Sequence, residues 1–340
     1  MIAWLDRMAR VANCALCLPS PATSVYAVQV MSKISFAHPF FLIAALAACG
    51  GSQPPRTEAP QPSPGPAPAA TAESAEVHRF RIGALEAMAL RDGGITIPND
   101  GKTFGLGQPA EAVAALLAAA GLPTDTLELG IQPLLVRDGE RVLLFDTGGG
   151  AVPWAKAGRL PEVLASVGVT PANVTDIFIS HGHLDHVGGL VTPGGALTFP
   201  EATIHLSAPE WEAMQKDAEA SALTPVIAPK VSAFAPGAEL LPSVRAVAVE
   251  GHSPGHTAYE IRSGDERLVY IGDTAHHHVV SVQRPDWAIE FDGNPEAAAS
   301  RRAFLQRATD EKLRLYAPHF PFPCVGTVQA SGEGFVWIPD

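Results

Sequence analysis

Cysteine is scarce in this sequence, and basic residues are outnumbered by acidic ones. Only 4 of the 340 residues are Cys, which is too few for a fold of this size held together by disulfides. Lys and Arg total 23 against 35 Asp and Glu, a formal net charge of −12. Because nucleic acids and anionic membrane surfaces are bound through clustered basic side chains, neither is expected as the main partner. The 12 His are therefore the most informative residues.

Sequence patterns for covalent catalysis are also missing. No Ser-His-Asp or Cys-His nucleophile-elbow pattern occurs, so a covalent acyl intermediate has no support in this sequence. The chain is 47% hydrophobic and 17% charged, which excludes a disordered or fibrous protein. Its length fits one large domain or two modest ones, with enough material for a hydrophobic core.

The first 48 residues are predicted to be an N-terminal extension and a lipoprotein-type signal peptide. Met31 is the expected start, Lys33 supplies the positive charge, and the apolar run 40–46 is too short to span a bilayer. The sequence Leu-Ala-Ala-Cys ending at Cys49 resembles the bacterial lipobox, in which Cys49 would be acylated. An ordinary cleaved signal peptide is the alternative. The expected location is periplasmic, with the lipid anchor at Cys49 in the outer membrane, since no Asp follows the Cys.

Residues 49–77 are predicted to be a linker rich in Pro and Ala. Seven prolines lie between Ser52 and Thr71, and such a segment behaves as a semi-extended spacer that cannot bury a core. Residues 78–340 are then expected to form one globular domain. The only membrane contact that this organisation predicts is the lipid anchor.

The globular segment alternates predicted strands and helices. Apolar runs at 134–136 and 142–145 flank Asp138-Gly139, a pattern typical of a hairpin with a type I′ turn. Further strands are predicted at 177–179, 203–206, 244–249, 258–262, 268–271 and 313–316, and helices at 110–120, 209–216 and 295–307. This order predicts an α/β fold, an αββα sandwich of two mixed β-sheets with outer helices.

Four candidate metal ligands follow the predicted strand 177–179 within six positions. They are His181, His183, Asp185 and His186. The two alternating histidines project to the same side of an extended segment, and the next pair comes where the chain must turn. Since one metal ion takes three or four ligands, this cluster is enough for one site and part of a second.

Three further predicted strands end at candidate ligands. These are His252 and His256 after strand 244–249, Asp273 after strand 268–271, and His319 after strand 313–316. Strand ends are where ligands and catalytic groups gather in α/β sheets. Side chains from four strand ends could therefore converge on two metal ions roughly 3.5–4 Å apart. Of the two histidines in one loop, His252 is expected to be a loop or supporting residue.

With this His-x-His-x-Asp-His segment, the sequence resembles the metallo-β-lactamase superfamily. The resemblance covers roughly residues 80–339. The family pattern assigns His181, His183 and His256 to a first metal, Asp185, His186 and His319 to a second, and Asp273 to both as a bridge. It implies two zinc ions, with Mn, Fe or Co as alternatives. It also implies that the Asp-Thr-Gly turn at Asp146 supports the metal loop from behind.

A closer resemblance is to methyl parathion hydrolase and the related quorum-quenching lactonases. It rests on the segments 272–276, 289–292 and 319–323. It implies a small-molecule substrate, namely a lactone, ester or phosphotriester cleaved by a hydroxide that two zinc ions generate from water. Asp185 could pass a proton to the leaving group, and His276 could contact the substrate or orient the bridging Asp. The oligomeric state is left open, with a homodimer as one option.

An apolar wall of Phe320, Phe322 and Trp287 is expected beside the metal site and would suit a hydrophobic substrate. Other readings stay open. A β-lactamase-type amide hydrolase would use the same metal site, and a thioesterase is a further alternative. A non-hydrolytic metal-binding or redox protein of the same fold belongs to a different functional class.

The lipobox predicts an acylated Cys49 at the mature N-terminus. Mass spectrometry of the protein from the native membrane fraction should detect this modified residue as residue one. An intact 1–30 segment in the mature protein would show that the assigned start is wrong.

Overall fold

The structure, a computed structural model, describes residues 75–340. The predicted signal peptide, the Cys49 anchor and nearly all of the predicted linker lie outside the described residues. Within the described part, no helix has both the length and the apolar character needed to cross a membrane.

Eighteen strands are described. In chain order they are β1 Val77–Ile82, β2 Leu85–Leu90, β3 Gly93–Pro98, β4 Phe104–Leu106, β5 Thr126–Ile131, β6 Leu134–Asp138, β7 Arg141–Phe145, β8 Asp176–Phe178, β9 Thr203–Ser207, β10 Val231–Phe234, β11 Glu239–Leu241, β12 Val244–Ala248, β13 Thr257–Ser263, β14 Glu266–Tyr270, β15 Ala288–Ile289, β16 Arg314–Tyr316, β17 Val325–Ser331 and β18 Gly334–Pro339.

Seven α-helices and four short 3₁₀ turns connect these strands. The helices are α1 Ala110–Ala119, α2 Leu160–Ser166, α3 Leu184–Val187, α4 Ala208–Met214, α5 Thr224–Ile227, α6 Val280–Gln283 and α7 Glu296–Asp310. The 3₁₀ turns cover Pro171–Asn173, Gly188–Leu190, Ala228–Lys230 and Gly272–Thr274.

The strands form two seven-stranded sheets and two small pairs. The first sheet has the order β1-β2-β6-β7-β8-β9-β10, and the second has the order β11-β12-β13-β14-β16-β17-β18. Both sheets are mixed. In the first, β7, β8, β9 and β10 run parallel, and in the second only β14 and β16 do.

The main core lies between the two sheets. Phe145 and Phe178 from the first sheet stack on each other and meet Tyr259 of the second sheet edge-on. Strand β8 is buried along its whole length, as expected for a strand covered on both faces. Helix α7 packs on the second sheet through Phe304 and Leu305. A second cluster buries α2, α4 and α5 against the outer face of the first sheet. The predicted αββα sandwich of two mixed sheets is therefore confirmed.

The predicted hairpin is present, but its turn differs from the predicted type. Strands β6 and β7 pair antiparallel and Asp138 faces Arg141, so the central turn residues are Gly139 and Glu140. Only Gly139 has a positive φ, of 61°. Because a type I′ turn needs a positive φ at both central residues, the turn is not of that type.

A third hydrophobic cluster lies outside the two sheets and was not predicted. It is built on the antiparallel pairs β3–β5 and β4–β15 together with helix α1. Its core includes Phe104, Leu117 and Ile289, which come from distant parts of the chain. The segment that leaves β15 leads directly to Asp292, beside the loops that carry the candidate ligands.

Candidate metal centre

The turn after β7 places a buried carboxylate behind the His-rich segment. Asp146 has a φ of 54°, in the left-handed region that Asp tolerates better than most residues. Its carboxylate accepts hydrogen bonds from the Ser180 amide (2.7 Å) and hydroxyl (2.6 Å) and from the Tyr270 hydroxyl (2.8 Å). It also lies 2.7 Å from Nδ1 of His186. This contact keeps the imidazole proton on Nδ1 and leaves Nε2 as a free ligand atom.

Two glycines let the His-rich segment close onto that turn. A Cβ at Gly188 would lie 2.3 Å from the carbonyl oxygen of Gly149, and one at Gly189 would lie 2.0 Å from that of Thr147. No residue with a Cβ atom fits at either position. The Thr147 amide and hydroxyl in turn donate to the His186 carbonyl, at 2.8 and 2.9 Å.

Four side chains meet in a first candidate site, comprising His181, His183, His252 and Asp273. Nε2 of His252 lies 3.1 Å from Nε2 of His181 and 3.1 Å from Nδ1 of His183. Oδ2 of Asp273 lies 3.3 Å from the His252 nitrogen and 3.5 Å from that of His181. His183 is the only exposed member of this set, so the site opens to solvent on that side.

The second candidate site comprises Asp185, His186 and His319. Nε2 of His186 lies 3.2 Å from Nε2 of His319, and Oδ2 of Asp185 lies 3.6 Å from both nitrogens. Oδ1 of Asp273 completes the set, at 3.1 Å from His186 and 2.8 Å from His319. The Gly130 carbonyl, 2.6 Å from Nδ1 of His319, orients that ring. The two oxygens of Asp273 therefore face different sites.

The donor atoms of both sites fit divalent metal ions. A tetrahedral ion with bonds of about 2.0–2.1 Å separates neighbouring donors by about 3.3 Å, and the spacings here scatter around that value. Oδ1 of Asp273 is buried with no hydrogen-bond partner among the described residues. Burial alone would raise the pKa of Asp273, but His319 and His186 hold that pKa well below its usual range. An ionised carboxylate buried in this way requires positive charge beside it.

His252 also shows that the first site favours a cation. Although burial opposes the charged form, the carboxylates of Asp273 and Asp292 raise the pKa of His252 to about 9. Burial lowers the pKa of His181 well below its usual range, so its ring is neutral. Neutral imidazoles and carboxylates are ligands suited to zinc and to other divalent transition metals.

The predicted ligand set needs correction at one position, because the structure brings His252 rather than His256 into the first site. Nε2 of His256 accepts a hydrogen bond from the Asp273 amide at 2.9 Å, and its Nδ1 donates to the Val249 carbonyl at 3.2 Å. Burial lowers the pKa of His256 to about 3, consistent with a neutral ring that accepts at Nε2. His256 thus holds the backbone of Asp273 and has no nitrogen left for a metal. The other six predicted ligands lie in the two sites.

Glu210 is a supporting residue that the sequence analysis missed. It lies in the first turn of α4 and is 3% exposed. One carboxylate oxygen accepts from the Gly182 amide at 2.8 Å, and the other accepts from the Ser253 hydroxyl and the Gly255 amide, both at 2.7 Å. Glu210 therefore ties the loop of His181 and His183 to the loop of His252.

Asp292 and Arg301 were missed as well. Oδ1 of Asp292 lies 3.4 Å from Nδ1 of His252, and its Oδ2 accepts from the Arg301 guanidinium at 2.5 Å. The only signal in the sequence is the segment 289–292, which carried part of the resemblance to the lactonases. No local spacing relates Asp292 to His252, forty residues earlier.

His276 lies beside the first site and is buried. Its Nε2 is 3.2 Å from Oδ2 of Asp273 but is not aligned for a hydrogen bond, and neither ring nitrogen has a hydrogen-bond partner among the described residues. Burial lowers the pKa of His276. The ring of Phe291, 36% exposed, is centred 5.7 Å from the His276 ring and meets Phe104 edge-on.

The expected apolar wall is not formed by the residues that the sequence suggested. Phe320 is buried in the main core and packs edge-on against Trp337. Phe322 lies under the guanidinium of Arg91, 4.6 Å from its ring centre, and Trp287 packs against the third cluster. Phe291 is the partly exposed aromatic ring that lies near the site instead.

Comparison with known proteins places these features in a family context. The family model of the Metallo-beta-lactamase superfamily matches residues 128–319, more than half of the chain. Metallo-beta-lactamase domain-containing protein 1 of Mus musculus is 46% identical over 65 residues, which are 19% of this chain and 21% of that protein. The chain thus matches only about a fifth of the length of this curated relative.

Two solved structures match over nearly their whole length. AidC, described as a dizinc quorum-quenching lactonase in complex with the product N-hexanoyl-L-homoserine, aligns with a TM-score of 0.74 and 29% identity, covering 78% of this chain and 97% of that one. The hydrolase AbOPH, described as in the beta lactamase superfamily, aligns with a TM-score of 0.71 and 26% identity, covering 79% and 98%.

The correction at His252 predicts opposite results for two histidines four residues apart. His252→Ala should reduce the metal content of zinc-saturated protein from about two equivalents towards one, because the first site loses a nitrogen donor. His256→Ala should keep both equivalents but lose about 1–3 kcal/mol of stability, since a buried amide is left unpaired. Elemental analysis and thermal unfolding measure the two effects. Loss of one metal from His256→Ala with none lost from His252→Ala would contradict the assignment.

Proposed function

The chain belongs to the metallo-beta-lactamase superfamily, and from this membership we propose that it is a hydrolase with a two-metal centre that cleaves a lactone, carboxylic ester or phosphotriester. One observation carries the proposal. The carboxylate of Asp273 divides its oxygens between two sites of imidazole and carboxylate donors, one of which opens to solvent at His183. A purely structural metal site would be closed on all sides.

Zinc is the metal we propose for both sites, with manganese, iron or cobalt as alternatives. His181, His183, His252 and Asp273 would hold one ion, and Asp185, His186, His319 and Asp273 would hold the other. A pair of such ions, when bound, supplies Lewis acidity and an acidified water at neutral pH. The chain itself keeps the donor atoms in place.

Two side chains are proposed to act on the substrate directly. The carboxylate of Asp185, 9% exposed, can accept a proton and carry it to the leaving oxygen. The neutral His276 ring, whose nitrogens have no hydrogen-bond partner among the described residues, can donate one hydrogen bond to an oxygen of the substrate. The partly exposed Phe291 ring beside His276 supplies an apolar contact for a hydrophobic acyl or aryl group.

Similarity to AidC favours lactones as the first substrates to test. AidC is described as a lactonase, and this chain aligns with 97% of its length at 29% identity. This similarity supports a lactone or related ester as the substrate rather than a β-lactam. A β-lactamase-type amide hydrolase would use the same metal centre, so only the substrate preference distinguishes it from a lactonase or esterase.

Purified protein should turn over lactones, aryl esters or phosphotriesters and show weak or no activity on β-lactams. His276→Ala should lower kcat/KM on the best substrate by roughly 100-fold, as loss of one hydrogen-bond donor to a reacting oxygen does, with two equivalents of metal retained. Steady-state kinetics on the four substrate classes measures the substrate preference, and metal analysis of each variant measures whether both metal ions are retained.

His278→Gln is the matched control. This residue lies two positions further along the same loop and borders a groove beside Phe320 and Phe322. It should keep both activity and metal content. Efficient hydrolysis of a penicillin or carbapenem, with no turnover of lactones, esters or phosphotriesters, would overturn the proposed substrate class and leave the two-metal centre intact.

A further inference from the structure

Arg301 is an arginine buried in the interior of the protein. It lies on α7 and is 1% exposed. All three of its guanidinium nitrogens have acceptors: Nη2 donates to Asp292 at 2.5 Å, Nε to the Thr274 carbonyl at 3.0 Å, and Nη1 to carbonyls of the 285–287 turn at 3.0 and 3.2 Å. Burying a charge is costly unless it is paired and hydrogen-bonded. This arginine therefore fixes three segments relative to one another.

Two of those segments belong to the first site. Thr274 follows Asp273 directly in the chain, so its carbonyl anchors the turn that carries the bridging carboxylate. Asp292 contacts Nδ1 of His252 at 3.4 Å through the oxygen that Arg301 does not use. A proton held on Nδ1 by this carboxylate leaves Nε2 of His252 free to face the other donors.

The two sites are supported by different means. In the second site, Asp146 orients His186, and Asp146 itself is held by the neutral donors of Ser180 and Tyr270. In the first site, Asp292 orients His252 and is itself held by the positively charged guanidinium of Arg301. Removing the Asp292 carboxylate should therefore weaken metal binding at the first site only, and removing the Asp146 carboxylate should weaken it at the second site only.

We propose that Asp292 and Arg301 are positioning residues of the first site, which orient the His252 ring and thereby set the affinity of that site for a divalent metal ion. The Arg301–Asp292 pair acts on the metal through the histidine and touches neither the metal nor the substrate. This inference rests on the two-metal centre of the proposed function.

The adjacent residue of α7 offers a matched control. Arg302 forms a two-pronged ion pair with Asp286 at the protein surface, where about half of each side chain is exposed. Arg302→Lys and Asp286→Asn remove the same chemical groups from a pair that contacts neither site. Exposed pairs of this kind contribute little to stability.

The test is a zinc titration of the metal-free full chain against a chromophoric chelator, which resolves two binding steps. Asp292→Asn should weaken one step by about 10- to 100-fold, the usual effect of losing a carboxylate behind a metal-binding histidine. Comparison with His183→Ala and His319→Ala assigns that step to the first site. Asp146→Asn should weaken the other step, and the Arg302 and Asp286 variants should change neither.

Each result of the zinc titration either supports or overturns the proposed role of Asp292 and Arg301. Asp292→Asn with both affinities unchanged, or with both lowered equally, would overturn the proposal. If this variant does not fold, as judged by circular dichroism, Arg301→Lys decides: it keeps the charge but cannot reach all of the acceptors, and selective weakening of the first site is expected. Arg301→Lys without selective weakening would also overturn the proposal. Wild-type protein that binds fewer than two ions would instead defeat the proposed function, on which this inference depends.

Discussion

The bridging position of Asp273 is the constraint on which the rest of the site depends. A carboxylate that is 4% exposed lies among the imidazoles of two sites, with one oxygen facing each. Such a charge is unfavourable in the protein interior unless positive charge lies on both sides of it. The lowered pKa of Asp273 and the raised pKa of His252 are two signs of this one requirement. Two divalent ions would satisfy it without protonating the histidines.

Every candidate ligand lies in a segment that follows a strand, including Asp185 and His186 in the short helix α3 and Asp273 in a 3₁₀ turn. Buried side chains tie these segments together. Asp146 fixes the His-rich segment, Glu210 joins it to the loop of His252, and Arg301 joins the turn of Asp273 to Asp292. Each clamp accepts or donates several hydrogen bonds, so the donor atoms are in place before a metal binds. This rigidity is what a two-metal hydrolase needs, because small displacements of its donors weaken catalysis.

The αββα layering and the segment from His181 to His186 could be predicted because their signals are local. Residues 177–179 are a short apolar run, and the four candidate ligands that follow it lie within a span of six residues, 181–186. The choice between His252 and His256 could not be made locally. Both lie in one loop, and backbone contacts to Val249 and Asp273 decide which ring faces the candidate metal sites. Asp292 and Arg301 depend on how β15 and α7 dock, and the pair β4–β15 joins segments about 180 residues apart. No short-range pattern reports such pairings.

The two-site arrangement around Asp273 is tested most directly by a crystal structure of zinc-loaded protein with anomalous diffraction recorded at the zinc edge. This arrangement predicts two anomalous peaks roughly 3.5–4 Å apart, one within bonding distance of His252 and the other within bonding distance of His319, with Asp273 between them. A single peak, no peak, or a metal bound by His256 in place of His252 would contradict it.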